Sequence, residues 1–214
     1  MMLESIREEL TRGIQELGLK DNEPAIAKLL AYLILLQKWN SSFNLSGITD
    51  IESMVSRHIL DSLSLNPYLQ GETFVDIGSG AGLPGIPLAI FNPDKQFILI
   101  DSNGKKTRFL TQAKIELGLE NISVENCRVE HYQSQRQIDM VMCRAFSTLE
   151  DIVSKFQPNF SENCKLLAMK GHVPENEISK LPHGFGVSRI INLRIPGSDA
   201  QRHLIEVIRK KNLE

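Results

Sequence analysis

The chain has 214 residues, enough to bury one α/β core with a modest appendage. Its 42% apolar and 23% charged residues are ordinary for a globular protein, and a formal charge of −2 excludes a protein that coats nucleic acid indiscriminately. Three widely spaced cysteines, Cys127, Cys143 and Cys164, form no CxxC pair, which argues against a disulfide framework or zinc site and for reduced thiols in a cytoplasm.

The first segment, "MMLESIREELTRG", lacks the apolar core of a signal peptide, so export is not expected. Leu3, Ile6, Leu10, Ile14 and Leu17 recur at helical spacing. Gly18 and "KDNEP" end that pattern, and Pro24 suits the first turn of a second helix. The second helix, "AIAKLLAYLILLQKWN", is apolar on more than one face and is expected to sit between other elements. Its longest apolar run, Leu29 to Leu36, is too short to span a membrane. In "TDIESMVSRHILDSL", Thr49 and Glu52 have capping-box spacing ahead of another amphipathic run. A helical region over 1–70 is therefore expected to precede a second region over 71–214, the two forming one unit.

From Glu72 the period changes. "TFVDIG" reads as a strand and "LPGIPLAIF" as a short helix; "QFILIDS" is a second strand, followed by the helix "GKKTRFLTQAKIEL". "ISVENC", "IDMVMCRAF" and "CKLLAMKG" are further strands, and "GVSRIINLRI" with "RHLIEVIRK" forms a closing hairpin. Such alternation predicts a mainly parallel, doubly wound sheet. Ligands bind such sheets beyond the carboxyl ends of the strands. That rim would collect Asp76, Gly78, Gly80, Gly82 and Leu83, then Asp101, Lys105 and Lys106. The later strands would add Cys127, Arg128, Val129, Glu130, Arg144 and Lys170.

Gly80, Gly82 and Gly85 satisfy the dinucleotide spacing G-x-G-x-x-G, with Asp101 at the distance suited to a ribose hydroxyl. Asp76, however, stands inside the strand end, where a carboxylate would repel a pyrophosphate. A ligand with a cationic amino-acid end suits it better, which favours S-adenosylmethionine over NAD. Bland alternatives stand beside each assignment. Asp76 could brace the loop, Asp101 could cap a helix, and Glu130 could be a solvated charge. Lys105, Lys106 and Arg108 could be an exposed helix face, and Arg144 a structural ion pair. His58 reads as a core residue, and Cys143 as a buried strand residue without an activating base.

"VDIGSGAGLPGIPLAI", "LIDSNGKKTRFL", "CRVEHY", "CRAF", "AMKG" and "RHL" occur in an order that resembles the RsmG (GidB) family. "KWNSSFNLSGITD" and "RHILDSL" resemble its helical N-terminal region, so that the similarity runs roughly from Leu36 to Ile208. Ser79 and Ala81 stand where Thr and Pro are frequent in that family. The resemblance implies a class I, Rossmann-like methyltransferase fold with a C-terminal antiparallel hairpin. It implies methyl transfer from S-adenosylmethionine to N7 of one guanine in 16S ribosomal RNA, on the small subunit or an assembly intermediate. By the same resemblance, Gly78, Leu83, Asp101, Val129, Glu130 and Arg144 would bind the cofactor, and the glycine spacing adds Gly80. Lys105, Lys106, Arg128, Lys170 and Arg202 are candidates to hold RNA. N7 already carries a lone pair, so no general base is expected, and neither a metal nor a membrane is implied. A cytoplasmic monomer is expected. The rival readings are an NAD-linked oxidoreductase using the same glycines and Asp101, and a non-catalytic ribosome-associated RNA-binding protein.

Overall fold

The computed structural model describes residues 2–210; residue 1 and residues 211–214, the outer ends of the two expected regions, lie outside the described residues. The N-terminal helices are α1 (Met2–Glu16) and α2 (Glu23–Phe43), the latter capped by Asn22 and carrying Pro24 in its first turn. A third helical stretch comprises α3 (Ile51–Met54), a π-helical segment (Val55–Leu60) and α4 (Asp61–Leu63). It starts one residue later than the expected capping box. With Ile51 as the first helical residue, Asp50 becomes the N-cap and accepts from the Ser53 amide at 2.7 Å.

The sheet follows as β1 (Thr73–Ile77), β2 (Gln96–Ile100), β3 (Ile122–Glu125), β4 (Met140–Arg144) and β5 (Lys165–Lys170), with β6 (Phe185–Asn192) and β7 (His203–Arg209). The first two strands are each followed by a helix, α5 (Gly85–Phe91) and α6 (Gly104–Glu116). α7 (Leu149–Phe156), not anticipated from the sequence, follows β4 and is capped by the Thr148 hydroxyl, which accepts from the Asp151 amide. α8 (Glu175–Ile178) follows β5. Between β3 and β4 only a short 3₁₀ turn (Val129–His131) appears.

Strand order is β3-β2-β1-β4-β5-β7-β6. The first five strands are parallel, whereas β7 is antiparallel to both β5 and β6. Order therefore reverses between β1 and β4, which opens a crevice at their carboxyl ends.

Alternation along the strands sends side chains to two cores. Phe74, Phe97, Leu99, Met142 and Leu167 share one cluster with Ile6, Leu10, Tyr32, Leu33 and Leu36 of the N-terminal helices. Val75, Ile77, Ile100, Val141 and Leu166 pack on the other face with Ile152, Val153 and Phe156 of α7. Leu10, Ile14, Leu29, Leu33 and Leu36 are fully buried. At about 1.5–3 kcal/mol per such side chain, the helical segment is tied to the sheet as part of its covering layer.

Candidate functional site

The chain turns sharply as β1 ends. Gly78 has φ +67, and its amide and that of Ser79 both donate to the Ile100 carbonyl at the end of β2. A side chain at Gly78 would run into the ring of Phe146, so only glycine combines this backbone with that contact. Gly80 also has a positive φ, yet the space its side chain would enter is open, with the Gly78 carbonyl 3.8 Å away.

Three polar ties hold the loop. The Asp76 carboxylate accepts from the Gly85 amide (2.8 Å), and Asp101 Oδ2 accepts from the Gly80 amide (2.9 Å). From the N-terminal layer, the fully buried Tyr32 hydroxyl donates to the Ala81 carbonyl (2.7 Å). The loop is thus fixed before any ligand arrives, which reduces the ordering that binding would cost.

A cleft of about 480 Å³ lies beyond β1, β2, β3 and β4. It is lined by Gly78, Asp101, Lys106, Arg128, Val129 and Glu130 among the anticipated residues. Cys127, also expected at the rim, lines it together with Phe146 and Lys155. Leu83 is buried in the first core and does not line the cleft. Arg144 ends β4, but its Nη1 points to Asp61 (3.0 Å) and to the Arg57 carbonyl (3.0 Å). Arg202 pairs with the other oxygen of Asp61, and Lys170 pairs with Glu177 while donating to the Ser147 carbonyl. Lys105 is exposed in the first turn of α6, Lys106 sits 3.7 Å from Asp101, and Arg128 sits 3.7 Å from Glu130.

The alternatives raised for Asp76 and Asp101 take a physical form here. Asn103 is the N-cap of α6, so Asp101 is not a cap; it joins the loop amide on one oxygen and the Asn103 amide on the other. Each of those oxygens keeps a lone pair that a ribose hydroxyl could use. Asp76 braces the loop with Oδ2, while Oδ1 is buried without a partner. Replacing Asp101 by Ala is expected to weaken S-adenosylmethionine binding by about 1–3 kcal/mol through loss of charged hydrogen bonds and the loop tie. Calorimetry reads this directly, and an unaltered Kd would remove Asp101 from the site.

Burial pushes the Asp76 carboxyl up to about 7, against the pull of the Gly85 amide and the Arg144 charge. A carboxyl that holds its proton more tightly when folded costs stability as pH rises from about 4, its unfolded value, to about 7. His58 has the opposite sign. Burial, helped by Arg144, pushes it down to about 4, so its contribution is lost as pH falls below about 6.5. Asp76→Asn should isolate the first effect. In urea denaturation the variant's stability relative to the parent should climb with pH up to about 7 and then level off. A pH-independent difference would show that Asp76 does not titrate in this range.

Ala145 adopts a positive φ of 51°, uncommon for a residue with a side chain. This turn follows Arg144 and leaves the Phe146 ring over Gly78, 38% exposed at the cleft. The residues present fit S-adenosylmethionine. The carboxylates of Asp101 and Glu130, both lining the cleft, suit a cationic ligand with ribose hydroxyls. Val129 and Phe146 offer apolar surface for an adenine. Among the described residues no three His, Cys, Asp or Glu side chains are grouped to hold a metal ion. No helix in that range is long and apolar enough to cross a membrane.

Solved structures with this arrangement include a SAM-dependent methyltransferase from Aquifex aeolicus (TM-score 0.57, 15% identity, 73% of this chain and 93% of that one). A ribosomal protein L11 methylase from Lactobacillus delbrueckii subsp. bulgaricus is also similar (TM-score 0.55, 12% identity, 71% and 77% covered). At those identities the likeness concerns the fold. Sequence relatives reach further. A ribosomal RNA small subunit methyltransferase G from Nitrosococcus oceani is 47% identical over 206 residues, 96% of each chain. One from Marinomonas sp. is 45% identical over 201 residues, covering 94% of this chain and 97% of the relative. The family model described as "GidB: rRNA small subunit methyltransferase G" matches residues 25–205. With that match across both the helical layer and the sheet, the chain belongs to the GidB family of rRNA small subunit methyltransferases.

Proposed function

We propose that the protein transfers a methyl group from S-adenosylmethionine to N7 of a single guanine in 16S ribosomal RNA, acting in the cytoplasm on the small subunit or an assembly intermediate. The observation that carries this reading is the pre-tied glycine loop beside a cleft that holds the Asp101 and Glu130 carboxylates, in a chain that belongs to this family. Neither rival, an NAD-linked oxidoreductase or a non-catalytic RNA-binding protein, is favoured by the relatives named above.

The cofactor supplies an electrophilic methyl group on a sulfonium. Gly78, Asp101, Val129 and Glu130 would hold it, with Asp101 taking the ribose hydroxyls. What remains for the protein is alignment of the base with that group and exclusion of water. Guanine N7 faces the major-groove edge with a free lone pair and loses no proton on attack. No side chain need act as base, and neither His58 nor Cys143 is suited to do so. His58 is held neutral with both ring nitrogens engaged, by Ser46 Oγ (2.6 Å) and the Arg57 carbonyl (2.9 Å). Burial pushes the Cys143 thiol up to about 12.

The deciding experiment is methyl transfer to small-subunit RNA with mapping of the modified base. Failure to modify guanine N7 would refute the reading. Lys105 and Lys106 supply cations beside the cleft in a chain of net negative charge. Changing both to Ala should weaken RNA binding and make the log Kd against log salt slope shallower by about 1.4–1.8, the loss of two phosphate contacts. The Lys106–Asp101 pair is partly exposed, so cofactor affinity should move by no more than about 1 kcal/mol. An unchanged salt slope would place the RNA elsewhere.

A further inference from the structure

Asp61 is the least expected charge in the molecule. It is 1% exposed, on the helical layer, in the amphipathic run that follows Thr49. Its Oδ1 accepts from Arg202 Nε at 2.6 Å and its Oδ2 from Arg144 Nη1 at 3.0 Å. Arg144 ends β4. Arg202 directly precedes β7, whose first residue, His203, pairs with Lys170 at the end of β5. Because β7 runs antiparallel to β5, both arginines stand at the carboxyl rim of the sheet, where the cleft opens. The helix approaching Asp61 is π-helical over Val55–Leu60, a rare irregularity that occurs frequently at functional sites.

Stability alone does not account for this cluster. Two guanidiniums on one buried carboxylate leave a net positive charge, and buried ion pairs are often no better than apolar packing. Each guanidinium carries five N–H donors. Arg144 spends two on Asp61 and the Arg57 carbonyl, and Arg202 spends one on Asp61. The others meet no protein acceptor among the described residues, while the side chains stay 17% and 24% exposed. Free donors held at a rim call for an anionic acceptor. They cannot serve guanine N7, because a donor there would occupy the lone pair that must attack.

We propose that Asp61 is a positioning residue that clamps Arg144 and Arg202 into a two-guanidinium receptor for an RNA phosphate beside the target guanine. This rests on the methyl-transfer reading above and adds to it the group that seats the RNA. Planar guanidinium forks match phosphate oxygens in a way that a lysine ammonium does not. Asp61 keeps the two forks oriented and offsets their mutual repulsion.

The test turns on a sign. Asp61→Asn removes a negative charge from an acidic protein, so long-range electrostatics alone would tighten RNA binding. Loss of the clamp weakens it. Binding of a 16S rRNA transcript, measured by filter retention or anisotropy at fixed salt, should fall about tenfold in Asp61→Asn, with S-adenosylmethionine affinity within about threefold of the parent. Arg202→Lys keeps the charge and loses the fork, and should weaken the transcript by about fivefold even if the Asn variant folds poorly. Parent-like or tighter RNA binding in Arg202→Lys, or in a folded Asp61→Asn, overturns the clamp. So does an Asp61→Asn variant whose only change is a lower melting temperature. Parent protein that binds the transcript but transfers no methyl group would refute the functional reading instead, since the clamp is judged on affinity.

Discussion

Gly78→Val is expected to weaken cofactor binding and methyl transfer severely while leaving the seven-stranded sheet formed. A β-branched residue at φ +67 carries about 1–3 kcal/mol of backbone strain. Its side chain would also strike the Phe146 ring, and forced overpacking of this kind costs about 1–3 kcal/mol. Relief of either would move the loop away from the Ile100 carbonyl and Phe146 away from the cleft. Together these give a loss of about 2–6 kcal/mol in cofactor affinity, roughly thirtyfold to about ten thousandfold or more. Gly80→Ala is the control: its side chain would meet open space, so backbone strain alone should apply and the loss should be smaller. Calorimetry with S-adenosylmethionine and circular dichroism on both variants test this. A folded Gly78→Val protein with parental affinity would show that the cofactor does not depend on this turn.

Arg144→Ala is expected to be the most destabilising change at the rim. It strands Asp61 Oδ2 in an environment 1% open to water. Breaking a buried pair by removing one partner costs about 3–5 kcal/mol, and the lower end applies because Arg202 still holds Oδ1. The Arg57 carbonyl loses its partner as well. Urea denaturation should register the loss, and Arg144→Lys, which retains the charge, should recover part of it. An Arg144→Ala protein as stable as the parent would mean that water reaches Asp61. Such a result would weaken the clamp argument too, because an exposed carboxylate would not need two arginines.

Both expectations concern residues whose sequence context was only half informative. Arg144 was legible as a charge closing an apolar strand, which placed it at the rim. Its partner was not legible, because "RHILDSL" offers His58 and Asp61 with equal prominence. Only the packing of the helical layer on the sheet shows that Asp61 receives two arginines while His58 is held by a serine and a carbonyl. Lys170 and Arg202 carry the same lesson. Each reads as a free cation in one dimension and has an acidic partner in three, Glu177 for the first and Asp61 for the second.

What the sequence by itself determined is the part governed by local chemistry. Near-continuous apolar runs specified the strands, since each must bury two faces, and their βα alternation specified a parallel sheet. Glycine density after β1 marked the ligand turn, because glycine takes the positive φ that such a turn needs without the steric cost a Cβ imposes. Local signals were weaker where elements are short or irregular. α7 was not anticipated, the capping box at Thr49 gave way to Asp50, and nothing announced the π-helical segment before Asp61. The tertiary structure alone decided which polar groups meet: Tyr32 with Ala81, Asp101 with Gly80, Asp61 with Arg144 and Arg202. Those pairs join residues far apart in the chain, and their partners are selected by the desolvation cost that each buried polar group must offset. That cost arises only after the helices have closed over the sheet.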